Sequence, residues 1–315
     1  MSTFDYDWSA RQVLVTGGAG FIGTHLVNRL RAEGARVRVL DNLSTGRTTW
    51  ADPNIEFIED TVTSSSAMAH AFDGCDVAFH LAAMVSVPEC EQAPDDCRRV
   101  NVDATATAAR LAAENNASLV MASSCAIYGP DASLPCVESA TPQPSSVYGA
   151  SKCEGEHAIT SMIRNGSLEA TCLRFFNVVG SGQRPDVPYA AAIPIFAAAI
   201  RADQPLHIFG DGKQTRDFVP VDLAVEAMLR AAATPCNRTL NVATGIQTTL
   251  LDVIDMISAA CNRPAQCGYK PPRPEDIRHS VGDITLLQKL LGLPEQWGTP
   301  AALRNAIEHV VHHAG

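Results

Sequence analysis

The chain has 315 residues, of which 46% are hydrophobic and 18% charged, so it can bury a large core and form more than one structural unit. Its formal net charge is -10, and no run of Lys or Arg forms a basic stripe. Both features argue against nucleic acid or an anionic membrane as a partner. An anionic ligand would have to be bound by a few individually placed arginines.

The N-terminal segment and the cysteines indicate where the protein works. Residues 1–12 include acidic residues and no apolar signal region, and no later stretch reaches about 18 uninterrupted apolar residues. We therefore expect a cytoplasmic protein. The ten cysteines show no C-x-x-C pair or zinc-like grouping, so we expect reduced thiols. No metal is predicted, because His309, His312 and His313 have helical ligand spacing but lie near the C-terminus, where we expect them to be solvated.

The first motif joins an apolar run, residues 12–16, to a glycine-rich turn and a helix. Gly17, Gly20 and Gly23 stand in the spacing Gly-x-x-Gly-x-x-Gly, after which apolar residues recur at helical intervals. Glycines let the backbone approach a pyrophosphate, and the N-terminus of the following helix stabilises its negative charge. The motif therefore predicts a dinucleotide cofactor.

An acidic residue selects among dinucleotides. The next apolar run, residues 36–40, ends in Asp41, which lies 24 residues after Gly17. Its carboxylate would accept hydrogen bonds from the adenosine ribose hydroxyls and would repel a 2′-phosphate. This position favours NAD over NADP.

Strand-like and helical segments alternate through the first half of the chain. Further strands are predicted at 55–58, 77–81, 118–121 and 170–174, and helices at 101–115 and 148–164. This alternation predicts an α/β fold with a doubly wound parallel sheet of the Rossmann type. Ligands of such sheets bind beyond the carboxyl ends of the strands, where Gly17, Asp41, Asp60, Ala82 and Ser124 are expected.

The texture of the sequence changes after residue 176, where glycine and proline become frequent. We expect residues 1–176 and about 219–244 to form the NAD-binding domain, because a helix and a strand at 221–243 look like a return to the sheet. Residues 177–218 and 245–315 are expected to form a smaller, mostly helical lobe that binds the substrate.

Tyr148 and Lys152 are four residues apart and therefore share one face of the predicted helix. A tyrosine acts as a base at pH 7 only if its pKa falls by roughly three units, which corresponds to about 4 kcal/mol. A cation about 5 Å away supplies about 3 kcal/mol at an effective dielectric constant near 20. Lys152 would be one such cation, and the ring of an oxidised nicotinamide would be another.

With these motifs, the chain resembles the extended short-chain dehydrogenase/reductase family, in particular its NAD-dependent nucleotide-sugar epimerases and dehydratases. The resemblance runs through nearly the whole chain. It is carried by blocks at residues 16–23, 80–83, 101–102, 123–129, 148–152, 173–178, 210–217, 241–245 and 273–276.

The resemblance implies roles for matching residues. In catalysis, Tyr148 would take the proton of the sugar 4-hydroxyl, Ser124 would bind the same oxygen, and Lys152 would hold the nicotinamide ribose and lower the pKa of Tyr148. The implied NAD-binding residues are Gly17, Gly20, Phe21, Ile22, Gly23, Asp41, Asn42, Asp60, Thr61, Leu81, Ala82, Ala83, Asn101, Tyr148 and Lys152. The implied substrate-binding residues are Ser86, Ser124, Asn177, Arg216, Arg273, Asp276 and Ser280. Helices 101–115 and 148–164 correspond to those through which many relatives form homodimers.

Two positions bear on the reaction and the sugar. The family's 4,6-dehydratases carry Asp-Glu after the catalytic Ser or Thr, whereas this chain has Cys125 and Ala126, so a 4-epimerase is favoured. Epimerases restricted to glucose and galactose resemble one another in carrying Tyr where this chain has Ser280. A small residue there leaves room for an N-acetyl group, which favours UDP-GlcNAc or UDP-GalNAc. The segment at 188–194 resembles the N-acetylhexosamine epimerases as well.

Two other functions stay open at this point. If the thiol of Cys125 lies beside C5 or C6 of the sugar, it could serve as acid or base in a 5,6-elimination. The UDP-GlcNAc 5,6-dehydratase of the tunicamycin pathway, which this chain also resembles, works by C4 oxidation, elimination and return of the hydride. The remaining alternative is a non-catalytic NAD-binding protein on the same fold.

Overall fold

The computed structural model describes residues 6–47, 52, 55–186, 191–272, 277–294 and 298–313, the last without the side chain of His313. The chain divides into two compact units. The first consists of residues 1–127, 144–174 and 225–240, and the second of residues 128–143, 175–224 and 241–315. The segment 128–143, which the sequence analysis placed in the first domain, is thus part of the second unit.

Thirteen strands lie within the described residues. They are β1 Gln12–Thr16, β2 Arg36–Asp41, β3 Ile55–Glu59, β4 Val77–His80, β5 Ser118–Ser124, β6 Ala170–Phe175, β7 Asn177–Val179, β8 Leu206–Phe209, β9 Thr215–Arg216, β10 Phe218–Pro220, β11 Arg238–Val242, β12 Thr248–Thr249 and β13 Cys267–Lys270. The helices are α1 Phe21–Ala32, α2 Ser65–Phe72, α3 Val87–Gln92, α4 Pro94–Arg98, α5 Ala104–Glu114, α6 Val147–Arg164, α7 Ala192–Arg201, α8 Val221–Ala233, α9 Leu250–Cys261, α10 Thr285–Leu291 and α11 Pro300–His313.

A seven-stranded sheet forms the centre of the first unit, with the strand order β11-β6-β5-β4-β1-β2-β3. The pairings β1–β2, β2–β3, β1–β4 and β4–β5 are parallel, so the carboxyl ends of these strands lie along one edge. From β1 the chain moves outward to β3 and returns to β4 on the other side of β1. This reversal is the switch point at which doubly wound sheets bind ligands. The predicted fold class is confirmed.

The strands are buried because helices cover the sheet. Every residue of β4 and of β6 is buried, as expected for strands of a parallel sheet that is covered on both faces. One core packs Met68 and Phe72 of α2 and the small alanines of α5 against Leu14 and Leu119 of the sheet. The predicted helix over 101–115 begins with a π-helical turn at Arg99–Asp103 before it continues as α5.

The second unit is mostly helical, with three small two-stranded sheets. The pairs β7–β10 and β8–β13 are parallel, and the pair β9–β12 is antiparallel. Its core packs Ile193 and Phe196 of α7 against Val253 of α9 and Ile307 of α11. None of the helices in the described part of the chain is long and apolar enough to cross a membrane.

A buried carboxylate joins three segments of the second unit. Asp217 is fully buried, and its side chain accepts hydrogen bonds from the backbone N–H groups of Thr244 (2.8 Å), Gly245 (2.9 Å) and Gly282 (3.2 Å). The hydroxyl of Thr244 donates a fourth bond at 2.6 Å. Burial raises the pKa of Asp217, although these hydrogen bonds oppose the shift.

Replacing Asp217 by Ala is expected to lower the free energy of unfolding by about 3 kcal/mol, because three buried N–H groups lose their acceptor. Urea unfolding followed by circular dichroism measures the effect. Asp211→Ala is the matched control, since Asp211 pairs with Arg278 on the surface and both side chains are about half exposed. Surface pairs of this kind contribute little. Equal losses in the two variants would contradict the role of Asp217.

Candidate active site

The glycine turn lies between β1 and α1 at the switch point. The N–H of Gly17 donates to the carbonyl of Leu40 at 2.8 Å, and Gly17 has a φ of +69°. A Cβ on Gly17 would lie 2.6 Å from the backbone nitrogen of Ala82, and one on Gly23 would lie 2.3 Å from the carbonyl oxygen of Gly17. The residue before α1 is Gly20, which has no side chain to cap the helix. The first N–H groups of α1 therefore receive no hydrogen bond acceptor from the N-cap side chain.

Asp41 connects the glycine turn to the end of β2. Its buried carboxylate accepts hydrogen bonds from the N–H groups of Ala19 (3.0 Å) and Leu43 (2.8 Å). Two oxygens offer about four acceptor positions, so the carboxylate retains capacity for ribose hydroxyls. Asn42, the next residue, is exposed, and its side chain accepts a hydrogen bond from Ser44 N–H.

The other predicted cofactor residues lie at the neighbouring strand ends. Asp60 directly follows β3, and its side chain accepts a hydrogen bond from the N–H of Thr61 at 2.7 Å. The segment Leu81, Ala82 and Ala83 follows β4 and is only partly buried. Leu81 and Ala82 donate their N–H groups to Thr16, the last residue of β1.

This arrangement fits a dinucleotide. Backbone contacts leave no room for a Cβ at Gly17 or Gly23, the N-terminus of α1 has no side-chain cap, and a carboxylate stands at the end of β2. These features suit a pyrophosphate on the helix N-terminus and an adenosine ribose on Asp41.

Tyr148 lies in the first turn of α6, and Lys152 lies one turn later. The side chain of Ser146 accepts a hydrogen bond from Gly149 N–H at 3.1 Å and caps the helix, which fixes its first turn. Tyr148 is hydrogen bonded to the side chain of Ser124, the last residue of β5. The ammonium of Lys152 donates to the carbonyl of Ala122 at 2.9 Å. The structure therefore brings Ser124, Tyr148 and Lys152 together.

Burial changes the acidity of both residues on α6. It raises the pKa of Tyr148 to about 12, against a smaller lowering by the hydrogen bond from Ser124, and it lowers the pKa of Lys152 to about 8. The sequence analysis predicted that Lys152 lowers the pKa of Tyr148. In the protein alone the pKa of Tyr148 is raised, because desolvation of the phenolate and the charges of Cys125, Cys90 and Cys97 act in the same direction, and the lowering by Lys152 stays a prediction.

Three thiols surround this pair, and the sequence analysis singled out only Cys125. Cys125 follows Ser124, is partly exposed, and would raise the pKa of Tyr148 further if its thiol were ionised. Cys90 of α3 and Cys97 of α4 are fully buried, and their thiols donate to the carbonyl of Met84 and to the hydroxyl of Ser151, each at 3.5 Å. Their spacing in the sequence matches no motif, so only packing brings them to the site.

A buried polar chain below the site was also missed. The hydroxyl of Thr105 donates to the carbonyl of Asn101 at 2.7 Å, so it accepts a bond from Nε2 of His80, while Nδ1 of His80 accepts from Thr16. Burial lowers the pKa of His80 to about 3, so the imidazole is neutral. A histidine ending a buried strand is the only sequence signal for this network.

Asn101 was predicted to bind the cofactor. Its side chain is fully buried and accepts a bond from Met84 N–H (2.8 Å) while donating to the carbonyl of Met84 (2.9 Å) and to the hydroxyl of Ser151 (3.0 Å). All these partners belong to the protein. Asn101 therefore holds the segment after β4 against α6.

The predicted substrate residues lie in both units. In the first, Ser86 caps α3 by accepting a bond from Glu89 N–H at 3.2 Å. In the second, Asn177 is exposed at the start of β7, and Ser280 donates its N–H to Thr215, which precedes Arg216 in β9. Arg216 and Ser280 thus stand on adjacent segments. Arg273, Asp276 and part of the segment 188–194 lie outside the described residues.

Comparisons with known proteins identify the class to which this site belongs. Residues 13–243 match the NAD dependent epimerase/dehydratase family. The chain belongs to this family, and it is an enzyme that depends on NAD.

Individual relatives catalyse different reactions. A UDP-glucose 4-epimerase of Mycolicibacterium smegmatis is 35% identical over 311 residues, covering 95% of this chain and 97% of the relative. The solved UDP-N-acetylglucosamine 4-epimerase of Methanobrevibacter ruminantium M1, in complex with UDP-N-acetylmuramic acid, has a TM-score of 0.91 and 31% identity over 96% of this chain and 97% of that one. An NAD dependent NDP-hexosamine 5,6-dehydratase of tunicamycin biosynthesis has a TM-score of 0.82 and 30% identity over 96% of both chains.

Replacing Gly17 by Ala is expected to weaken NAD binding by about tenfold or more, because the turn must open to accommodate the Cβ. Isothermal titration calorimetry with NAD measures the change. Gly74→Ala is the matched control: Gly74 also has a positive φ, +64°, but nothing lies within 4 Å of its Cβ position. If both variants bound NAD equally well, the close approach at Ala82 would not matter for the cofactor.

Proposed function

We propose that this enzyme is a 4-epimerase that interconverts UDP-GlcNAc and UDP-GalNAc, with Tyr148 as the base. The observation that carries the proposal is the hydrogen bond between Tyr148 and Ser124, one helical turn from the buried Lys152. Two hydroxyls that already contact each other can both reach a single substrate oxygen. Cys125 and Ala126 replace the acid and base that a 4,6-elimination would need.

Each residue of the site has one task in this reaction. Tyr148 takes the proton of the 4-hydroxyl and later returns it, while Ser124 holds the same oxygen in the alcohol and keto states. NAD, when bound, supplies the hydride acceptor for C4 and a positive charge. Inversion follows when the 4-keto sugar presents its other face and C4 regains a hydride.

For Tyr148 to act as a base, its pKa must be lower with ligands bound than in the protein alone. With a pKa of about 12, Tyr148 is protonated at neutral pH and donates or accepts only through its hydroxyl. Lys152, with a pKa of about 8, is mostly charged at pH 7 and is one cation that would stabilise the phenolate. A positive charge on the ligand would add to it.

The proposed sugar nucleotide follows from the second unit. Arg216 would bind the diphosphate, since guanidinium groups form paired, charge-assisted hydrogen bonds with phosphate. The small Ser280, whose N–H is held by Thr215, would leave space for an N-acetyl group. Asn177, Arg273 and Asp276 are proposed as further contacts, and Ser86 as a contact to the sugar. The N-acetylglucosamine epimerase among the similar structures supports this substrate.

A 5,6-dehydratase is the alternative, and one observation favours it. The partly exposed thiol of Cys125 follows Ser124 directly, so it would be a proton donor or acceptor close to a sugar bound at Ser124 and Tyr148. The similarity to the solved 5,6-dehydratase supports the same possibility.

We also propose a cytoplasmic homodimer. All ten cysteines are thiols, as expected in a reducing compartment. Helices α5 and α6 are proposed as the dimer contact. Within the chain, residues 1–176 and about 219–244 would bind NAD, and residues 177–218 and 245–315 would bind the sugar nucleotide.

The reaction is tested by incubating the purified protein with UDP-GlcNAc and NAD and following the products by proton NMR. Signals of UDP-GalNAc are expected. A vinylic signal of a 6-methylene group would instead establish the 5,6-dehydratase. No change with UDP-GlcNAc but conversion of UDP-glucose would refute the assignment of the sugar, and no turnover of either would favour a non-catalytic protein.

Tyr148→Phe is expected to reduce kcat by at least about a thousandfold, because the base and its hydroxyl are removed together. NAD binding should persist, which calorimetry verifies. Tyr6→Phe removes the same atom from a ring that packs against Trp8 with centroids 4.6 Å apart, and it should stay fully active. A fully active Tyr148→Phe enzyme would refute the assigned base.

Cys125→Ala distinguishes the two reactions. An epimerase does not use the thiol, so kcat should change by less than about threefold. In a dehydratase that relies on Cys125, loss of the acid or base should cost about a hundredfold or more. The initial rate of UDP-GlcNAc conversion, measured by NMR, decides between them.

A further inference from the structure

A buried ion pair lies directly behind the catalytic residues. Glu156 of α6 and Arg174 of β6 are both at least 94% buried by side chain. The guanidinium donates to the carboxylate from Nε (2.9 and 3.2 Å) and from Nη2 (2.7 Å). The hydroxyl of Ser123 on β5 donates a further short hydrogen bond to Oε1 of Glu156. The carboxylate is therefore fully engaged by groups from two strands.

Ser123, which bonds to Glu156, lies in β5 between two residues that contribute to the site. Ser123 directly precedes Ser124, and Ala122, one residue earlier, accepts the hydrogen bond of Lys152. On α6, Glu156 lies one turn after Lys152 and therefore on the same helix face. The ion pair thus fixes α6 against β5 where Ser124 and Lys152 are held.

Burial and nearby ionisable groups act in opposite directions on the pKa of Lys152. Burial has the largest effect and lowers the pKa of Lys152, whereas the charges of Cys97, Cys90 and Glu156 raise it. At neutral pH the thiol of Cys90 is protonated, because burial raises its pKa. His80 is neutral, and Tyr148 is protonated. Glu156 forms an ion pair with Arg174, which balances its charge from the β6 side, and its carboxylate is one of the charges that act on Lys152.

We propose that Glu156 is a positioning residue that keeps Lys152 charged and aligned with Tyr148, through its bonds to Ser123 and Arg174. The alignment comes from the bonds between α6 and the two strands. The charge comes from the carboxylate one turn away on α6. The catalytic use of that charge rests on the proposed function, whereas the effect of Glu156 on Lys152 does not.

The direct test is titration of Lys152 in protein labelled with ¹³C at the lysine ε-carbon. The chain has only four lysines, and the other three, Lys213, Lys270 and Lys289, are exposed. The buried signal should titrate near pH 8 in the wild-type protein. In Glu156→Gln it should titrate about one unit lower or more, because an anion is lost and Arg174 remains. Glu156→Asp should restore most of the difference.

Glu226→Gln is the matched control in the same unit. Glu226 is also buried and pairs with Arg230 at 2.7 Å and with Arg29 at 3.4 Å, so its loss should destabilise the protein similarly without moving the Lys152 titration. If Glu156→Gln does not fold, Arg174→Gln removes the cation that balances Glu156, and the Lys152 titration should rise. An unchanged Lys152 titration in either folded variant overturns the proposal.

The second measurement is the pH profile of kcat. Relative to the wild-type enzyme, Glu156→Gln should lose about tenfold at pH 8 and less at pH 6, because protons recharge Lys152 as the pH falls. A loss that is equal at all pH values indicates a structural role only and overturns the catalytic part. If the wild-type enzyme turns over no sugar nucleotide, the proposed function fails, and the titration still decides the effect of Glu156 on Lys152.

Discussion

The position of α6 against β5 is the constraint on which the proposed chemistry depends. Helix α6 carries Tyr148 and Lys152, and β5 ends in Ser124. The contacts that join the two elements are polar and buried: Lys152 bonds to a β5 carbonyl, and Glu156 bonds to a β5 hydroxyl. Polar contacts of this kind have strict geometry, so they fix the rotation and height of the helix where apolar packing alone would tolerate small shifts.

The electrostatics of the first unit suit a reaction that begins only with ligands present. Burial holds Tyr148 in its protonated form and brings Lys152 close to losing its charge at physiological pH. A modest change in nearby charge therefore shifts the pKa of both groups strongly, since water does not screen that charge. Neutral His80 adds no positive charge below the site and serves as a hydrogen-bonding link between β1 and α5.

The two units divide the work in the proposed reaction. The first unit holds the residues proposed to move protons and to bind the dinucleotide, at the carboxyl ends of the parallel strands. The second unit holds the residues proposed to recognise the sugar nucleotide, on short strands and loops. Asp217 holds the segments at Thr244, Gly245 and Gly282 together by accepting four hydrogen bonds.

The sequence by itself determined the strand, glycine turn and helix at Gly17, the alternation that builds the sheet, and the pairing of Tyr148 with Lys152. Each of these follows from local spacing, because helix and strand periods place neighbouring residues predictably. Only the tertiary structure decided the ion pair of Glu156 with Arg174, the burial of Cys90 and Cys97, the buried partners of His80 and Asn101, and the raised pKa of Tyr148. These depend on which distant segments pack together and on how much water they exclude, and no local spacing encodes either quantity.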